Sequence, residues 1–184
     1  METAGVVAIA VVVLVLAWAG LAYNGLIRRR NRVDATWSDI DVLLRRRHDL
    51  VPNLVSTVGG YAAHESAALR AVTEARAAAI AASGPAAQGR AESSLSDNVR
   101  SIFAVAEEYP NLKASQAFGE LQEQLTATED GLEHARQFYN DSVFGYNNAV
   151  QTLPKNLIAV LFGFRTRQFF QAAGSDQATP AVRL

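Results

Sequence analysis

An uncharged apolar run near the start of the chain limits what the rest of it can be. The run extends from Ala4 to Tyr23 and contains no charged residue and no proline. At about 1.5 Å per residue, a helix of this length spans the roughly 30 Å hydrocarbon core of a bilayer. A lone segment in hydrocarbon must satisfy its own backbone polar groups, so it has to be helical. The run therefore predicts a transmembrane helix.

Two other interpretations of the run are open. Ala17, Trp18 and Ala19 form an Ala-x-Ala pattern that resembles a signal-peptide cleavage site. The preceding Met-Glu-Thr has no basic side chain, however, whereas secretory signals begin with one. A buried core helix would not need so long an uninterrupted run. A permanent anchor is favoured over both.

Basic residues follow the run directly, and they are Arg28, Arg29, Arg30 and Arg32. The basic flank of a membrane helix tends to stay in the cytoplasm. The sequence therefore predicts a single-pass protein with its N-terminus outside and its bulk in the cytoplasm. These arginines could also bind anionic lipid headgroups, although a topology signal is the favoured interpretation.

Beyond the run, apolar residues recur three and four positions apart, as on one face of a helix. The first stripe contains Val33, Trp37, Ile40 and Leu44, and Arg47 and Glu65 interrupt it further on. This spacing predicts one long helix to about residue 82, with kinks at Pro52 and at Gly59-Gly60. Breaks at residues 83–85 and 109–111 delimit a second helix.

A third helix is predicted to end near Pro154, and a short one to cover residues 156–164. No useful length of period-two alternation predicts a strand. We expect an all-α fold, an N-terminal transmembrane helix followed by an antiparallel bundle of three long helices and one short C-terminal helix. The predicted boundaries are 1–23 for the N-terminal end and anchor, 24–170 for the bundle and 171–184 for a disordered tail.

Several motifs in this order resemble the LemA family. They are WSDIDV at 37–42, RR at 46–47, DLVPNL at 49–54, GYA at 60–62 followed by HE at 64–65, EYPNLKA at 108–114, FYN at 138–140, YN at 146–147 and LFGF at 161–164. Gly59 departs from the family pattern, which has a lysine before the Gly-Tyr pair. The resemblance implies a bacterial inner-membrane protein with long antiparallel helices, and it supplies no reaction.

Motifs that carry chemistry are scarce. The chain has no cysteine, and no Glu-x-x-His pair precedes His48, His64 or His134. Its only lysines are Lys113 and Lys155, and neither belongs to a phosphate-binding loop. A net charge of −1 disfavours nucleic acid as a partner. We therefore expect no catalytic residue, no metal and no cofactor.

Four polar residues are candidates for buried roles: Arg47, Glu65, Tyr139 and Tyr146. Glu65 falls on the apolar stripe, where a carboxylate needs a partner, and Arg136 is a candidate for it. The tyrosines are seven residues apart and hence on one helix face. An alternative function, a membrane-tethered hydrolase or metal-binding bundle, would use His64 and Glu65.

Helix lengths suggest a partner. The second helix is too short to return to the bilayer, which would leave the stripe of Val33, Trp37, Ile40 and Leu44 uncovered near the membrane. An uncovered stripe favours self-association or another membrane protein. Folding back at Pro52 would hide the stripe within one chain. The sequence thus predicts a non-enzymatic scaffold or adaptor.

Overall fold

The computed structural model describes residues 2–62 and 64–171 of the chain, and regular structure in these residues is entirely helical. The six helices are α1 (Glu2–Gly59), α2 (Ser66–Ala81), α3 (Pro85–Glu107), α4 (Pro110–Lys113), α5 (Gln116–Gln151) and α6 (Lys155–Leu161). The predicted all-α class is confirmed. Apart from Gln171, the tail predicted to be disordered lies outside the described residues.

The first long helix ends earlier than the sequence predicts. It continues through Pro52 and ends at Gly59, so the single helix expected to reach residue 82 is divided into α1 and α2. The amides of Tyr61 and Ala62 both donate to the carbonyl of Val58, which closes the helix. Two successive glycines lose much backbone entropy in a helix, and here they end it.

The chain forms two compact units, which are described separately. Unit 1 comprises residues 2–39 and 137–167, and unit 2 comprises residues 40–136 and 168–171. In unit 1, α1 and α5 are antiparallel: Arg29 Nη1 donates to the Gly145 carbonyl at 3.3 Å, and the Trp37 and Tyr139 rings lie 5.3 Å apart. From Val6 to Leu21 the large apolar side chains of α1 are exposed. This part of α1 is long and apolar enough to cross a membrane.

The stripe predicted to be uncovered is buried. Val33 in unit 1, and Ile40 and Leu44 in unit 2, are almost inaccessible, and Trp37 is half-buried. The stripe is covered because α5 runs back along α1, which helix lengths alone do not predict. In unit 1 its Tyr139 packs on Trp37. In unit 2 a Cβ on Gly131 would lie only 3.4 Å from the Leu43 side chain, so the two helices are close there.

Unit 2 contains the larger hydrophobic core, to which α1, α2, α3, α4 and α5 all contribute. Its fully buried side chains include Leu54, Val58, Val72, Leu95, Ile102 and Leu112. The chain after residue 167 also packs against this unit. A Cβ on Gly89 of α3 would lie 1.9 Å from the Gln171 carbonyl oxygen, so only glycine permits this close approach.

Pro52 is accommodated inside α1 by a side chain from α2. Proline has no amide hydrogen, so the carbonyl of His48, four residues earlier, loses its helical hydrogen bond. Arg76 Nε donates to that oxygen at 2.6 Å. The contact replaces the missing bond and fastens α2 to α1.

We expect Arg76→Met to lower the free energy of unfolding by about 1–2 kcal/mol, because the His48 carbonyl then has no donor. In a Pro52→Ala background the alanine amide restores the helical bond, and the same substitution should cost less than half as much. Urea unfolding in detergent micelles, followed by circular dichroism, measures both values.

Arg70→Met is the matched control, since Arg70 lies on the same helix and is paired with Glu74 on the surface. It should change stability by no more than a few tenths of a kcal/mol. An equal cost of Arg76→Met in the two backgrounds would contradict the role assigned to this bond.

Candidate functional site

The most unusual feature of unit 2 is a fully buried carboxylate, Glu92 of α3. His48 Nε2 lies 2.7 Å from its Oε1, and Arg47 Nη1 donates to its Oε2 at 3.3 Å. Gln88, one turn earlier, donates from Nε2 to the same Oε1 at 2.9 Å. Both oxygens are therefore engaged, as a carboxylate in an apolar core requires.

Arg47 extends this network from α1 to α5. Its Nη2 donates to Ser96 Oγ at 2.7 Å and lies 3.1 Å from Glu129 Oε2. The guanidinium thus meets one buried and one half-exposed carboxylate. Removing two opposite charges from water is costly, and this arrangement persists because each group also has hydrogen bonds. It joins three helices through one side chain.

Arg136 of α5 lies beside the network. Burial lowers the pKa of this guanidinium, while the charge of Glu129, whose Oε1 is 3.9 Å from Nη1, opposes the shift. The guanidinium carbon lies 5.0 Å from the centre of the Phe170 ring, within the range of a cation–π interaction. The segment after residue 167 is thereby held against α5 as well as against α3.

An open groove of about 310 Å³ adjoins Arg47 and Glu129. Its apolar lining comes from Val99, Phe103 and Leu125. Arg47, Ser96 and Glu129 of the network line this groove, whereas Glu92 is inaccessible and does not reach it.

Arg47 and Glu65, the two charged residues that fall on the predicted stripe, lie in different surroundings in the structure. Arg47 is buried within the network. Glu65 lies outside α1, half-exposed, and accepts a hydrogen bond from the Tyr109 hydroxyl at 3.5 Å. The proposed pairing of Glu65 with Arg136 is wrong, since Arg136 pairs with Glu129. The error follows from the early end of α1, because Glu65 no longer shares the helical phase of Arg47.

Sequence reasoning missed Glu92, His48 and Glu129. One available signal was the buried face of α3, where Gln88 and Glu92 precede Leu95 and Val99 at helical spacing. Polar residues at two successive turns of an apolar face indicate a buried polar cluster. His64 and His134 are exposed. No group of three potential metal ligands occurs in residues 2–62 and 64–171.

Tyr139 and Tyr146 of unit 1 are both buried. Burial raises the pKa of each hydroxyl, and the charge of Arg167 opposes that shift. Tyr139 also packs on Trp37, so this tyrosine helps to fasten α5 to α1 in unit 1.

The arginines that follow the apolar run also lie in unit 1. Arg28, Arg29 and Arg32 line a cleft beside α1. Arg30 is half-buried, and its guanidinium carbon is 5.7 Å from the centre of the Phe164 ring.

We expect Glu92→Ala to lower the free energy of unfolding by about 3–5 kcal/mol, because it leaves the buried Arg47 without its inner partner. Asp97→Ala, on the same helix, removes a carboxylate 3.1 Å from Arg100 on the surface and should cost at most about 1 kcal/mol. Urea unfolding of both variants in detergent checks the difference. Equal costs would show that the network contributes no more than a surface ion pair.

Comparison with known proteins identifies several bacterial relatives. Magnetosome protein MamQ 2 of Paramagnetospirillum magneticum is 22% identical over 192 residues, which cover 90% of this chain and 71% of the relative. MamQ 1 of the same organism matches to the same extent. Magnetosome protein MamQ of Magnetospirillum gryphiswaldense is 22% identical over 191 residues, covering 88% of this chain and 70% of the relative.

The LemA family matches residues 36–184. This region begins just before the Trp37 motif and includes α2 to α6 as well as the part of α1 from residue 36 to Gly59. It covers most of the chain and contains every member of the polar network. The chain therefore belongs to the LemA family.

Proposed function

We propose that this protein is a single-pass inner-membrane protein whose helical body acts as a non-enzymatic scaffold or adaptor in the cytoplasm. The observation that carries the proposal is the exposure of every large apolar side chain from Val6 to Leu16, on a helix that continues into the family region. Such a surface is costly in water and suits hydrocarbon.

The pairing of the acidic residues supports a role without catalysis. Both carboxylate oxygens of Glu92 have hydrogen-bond partners within the protein, and Glu65 accepts a hydrogen bond from the Tyr109 hydroxyl. Neither carboxylate is arranged as a free general base beside a nucleophile. The relatives are named as magnetosome proteins, and their names specify no reaction.

The charge distribution supports the orientation. Four arginines, at positions 28, 29, 30 and 32, follow the apolar part of α1, and basic residues are retained on the cytoplasmic side.

The orientation is tested with single cysteines, since the chain has none of its own. Thr3→Cys precedes the apolar run, and Val42→Cys replaces an exposed residue of the body. In spheroplasts a membrane-impermeant maleimide should label Thr3→Cys at once and Val42→Cys only after lysis. The reverse pattern would invert the proposed orientation, and labelling of both before lysis would contradict a membrane-spanning chain.

We propose that the protein acts as a scaffold by binding a second copy of itself. The stripe around Trp37 is not the contact surface, because it is buried within the chain. Two phenylalanines of α5 in unit 1, Phe138 and Phe144, are 63% and 65% exposed. Aromatic side chains are enriched in the buried centres of protein interfaces. These two residues replace the buried stripe as candidate contacts with a second copy.

Photo-crosslinking in native membranes tests this contact. A benzoylphenylalanine at Phe138 or Phe144 should give an adduct of twice the mass of the 19.8 kDa chain, because the second copy covers these rings. The same probe at Gln122, an exposed residue of α5 in unit 2, is the control. Adducts only with other proteins would contradict self-association, and a stoichiometric metal in the purified protein would contradict a purely structural role.

A further inference from the structure

The short helix α6 lies beside the end of the apolar run. Within unit 1, Ile158 and Ala159 pack against Ala22 and Leu26 of α1 and against Ala149 of α5. The apolar run ends at Tyr23, so this contact is at the level where α1 would leave the hydrocarbon. The structure thus brings a C-terminal helix to the expected boundary between hydrocarbon and headgroups.

The outer face of α6 is strongly apolar. The exposed apolar side chains on this helix and next to its two ends, with exposures from 56% to 82%, are Leu153, Leu157, Val160, Leu161 and Phe162. Leu157 and Leu161 are four residues apart on one face of α6, and Leu153 precedes the helix. Contiguous apolar side chains on one face indicate an interaction surface. At this level of α1, the adjoining medium is the edge of the bilayer.

Aromatic residues reinforce this assignment. The Tyr23 ring lies 4.8 Å from that of Phe162 and 5.7 Å from that of Phe164. Together with Trp18, they place four aromatic rings on or beside the last turns of the run. Tyrosine and tryptophan are enriched where a membrane protein crosses the interface.

A cleft of about 540 Å³ lies next to α6, and its lining has an apolar part and a cationic part. Trp18, Leu21, Ala22 and Gly25 supply apolar or backbone surface. Arg28, Arg29, Arg32 and Lys155 supply four cations, and the lining contains no acidic residue. Lys155 is the first residue of α6, whereas the arginines belong to α1. A ligand with an acyl chain and an anionic phosphate complements both parts.

We propose that α6 is a second membrane-contacting element, embedded in the cytoplasmic leaflet beside α1, and that the adjoining cleft binds the phosphate of an anionic phospholipid. The inference rests on the proposed membrane anchor. It goes beyond that anchor because it assigns a lipid site built from the part of α1 that precedes the family region and from Lys155 of α6. A free phosphate would satisfy only the cationic part of the cleft.

Fluorescent probes on single cysteines in the full-length protein, reconstituted in vesicles, test the position of α6. A probe at Val160 should be quenched by lipids that carry a nitroxide near the headgroup, whereas one at Ser38, an exposed residue of α1 in the same unit, should not. A probe at Leu14 reports on the anchor itself through a nitroxide deep in the acyl chain.

These probes separate the two proposals. Quenching at Leu14 and Val160 supports both the anchor and the embedded α6. Quenching at Leu14 without quenching at Val160 overturns the embedding of α6 and leaves the anchor in place. Absence of quenching at Leu14 overturns the anchor, and with it the assignment of α6.

The lipid site is tested with Lys155→Gln, and Lys113→Gln is its matched control because Lys113, in unit 2, is the other lysine. Proteins are released from nanodiscs of phosphatidylcholine and phosphatidylglycerol, and retained lipid is measured by native mass spectrometry. Removing one cation near a lipid phosphate should reduce phosphatidylglycerol retention roughly fivefold. The control should retain as much as the unmodified protein.

Equal retention by the two variants, or no preference for phosphatidylglycerol over phosphatidylcholine, would overturn the site. Displacement of the lipid by an excess of inorganic phosphate would also overturn it, because the cleft would then bind phosphate without recognising the acyl chain.

Discussion

Most of this structure depends on a change along α1, a single uninterrupted helix. Its first part has an exposed apolar surface, and its later part packs against other helices. Over its first part the side chains are exposed and apolar on every side. From Ala22 onward, burial recurs every four or seven residues, through Leu26, Val33, Ile40 and Leu44. The change from an all-round apolar surface to a buried stripe marks the place where α1 begins to pack against other helices.

The helical class and the apolar segment could be predicted from sequence because both depend on local patterns. Helical periodicity and the length of an uncharged run are read within a few turns of chain. The burial of Val33, Ile40 and Leu44 could not be predicted in this way. It depends on the path of α5, which lies about a hundred residues further along the chain. Adding helix lengths end to end gave the wrong path, and hence an uncovered stripe.

In the polar network, likewise, the residue on an apolar stripe could be predicted from sequence, but its partners from other helices could not. Arg47 was found because a charge interrupts an apolar stripe within one helix. Its partners Glu92 and Glu129 belong to α3 and α5, and only the fold brings them together. The predicted pairing of Glu65 with Arg136 is wrong because it assumes that one helix continues through Glu65, whereas α1 ends at Gly59. Helical periodicity predicts which residues share a face only as far as the helix continues.

His48 is attached to its surroundings in two chemically independent ways. Its ring lies against Glu92 of α3, and its carbonyl accepts a hydrogen bond from Arg76 of α2. A backbone carbonyl is present whatever side chain the position carries. The imidazole can therefore be exchanged for another donor while the link to α2 persists, so this position can vary in chemistry without releasing α2 from α1.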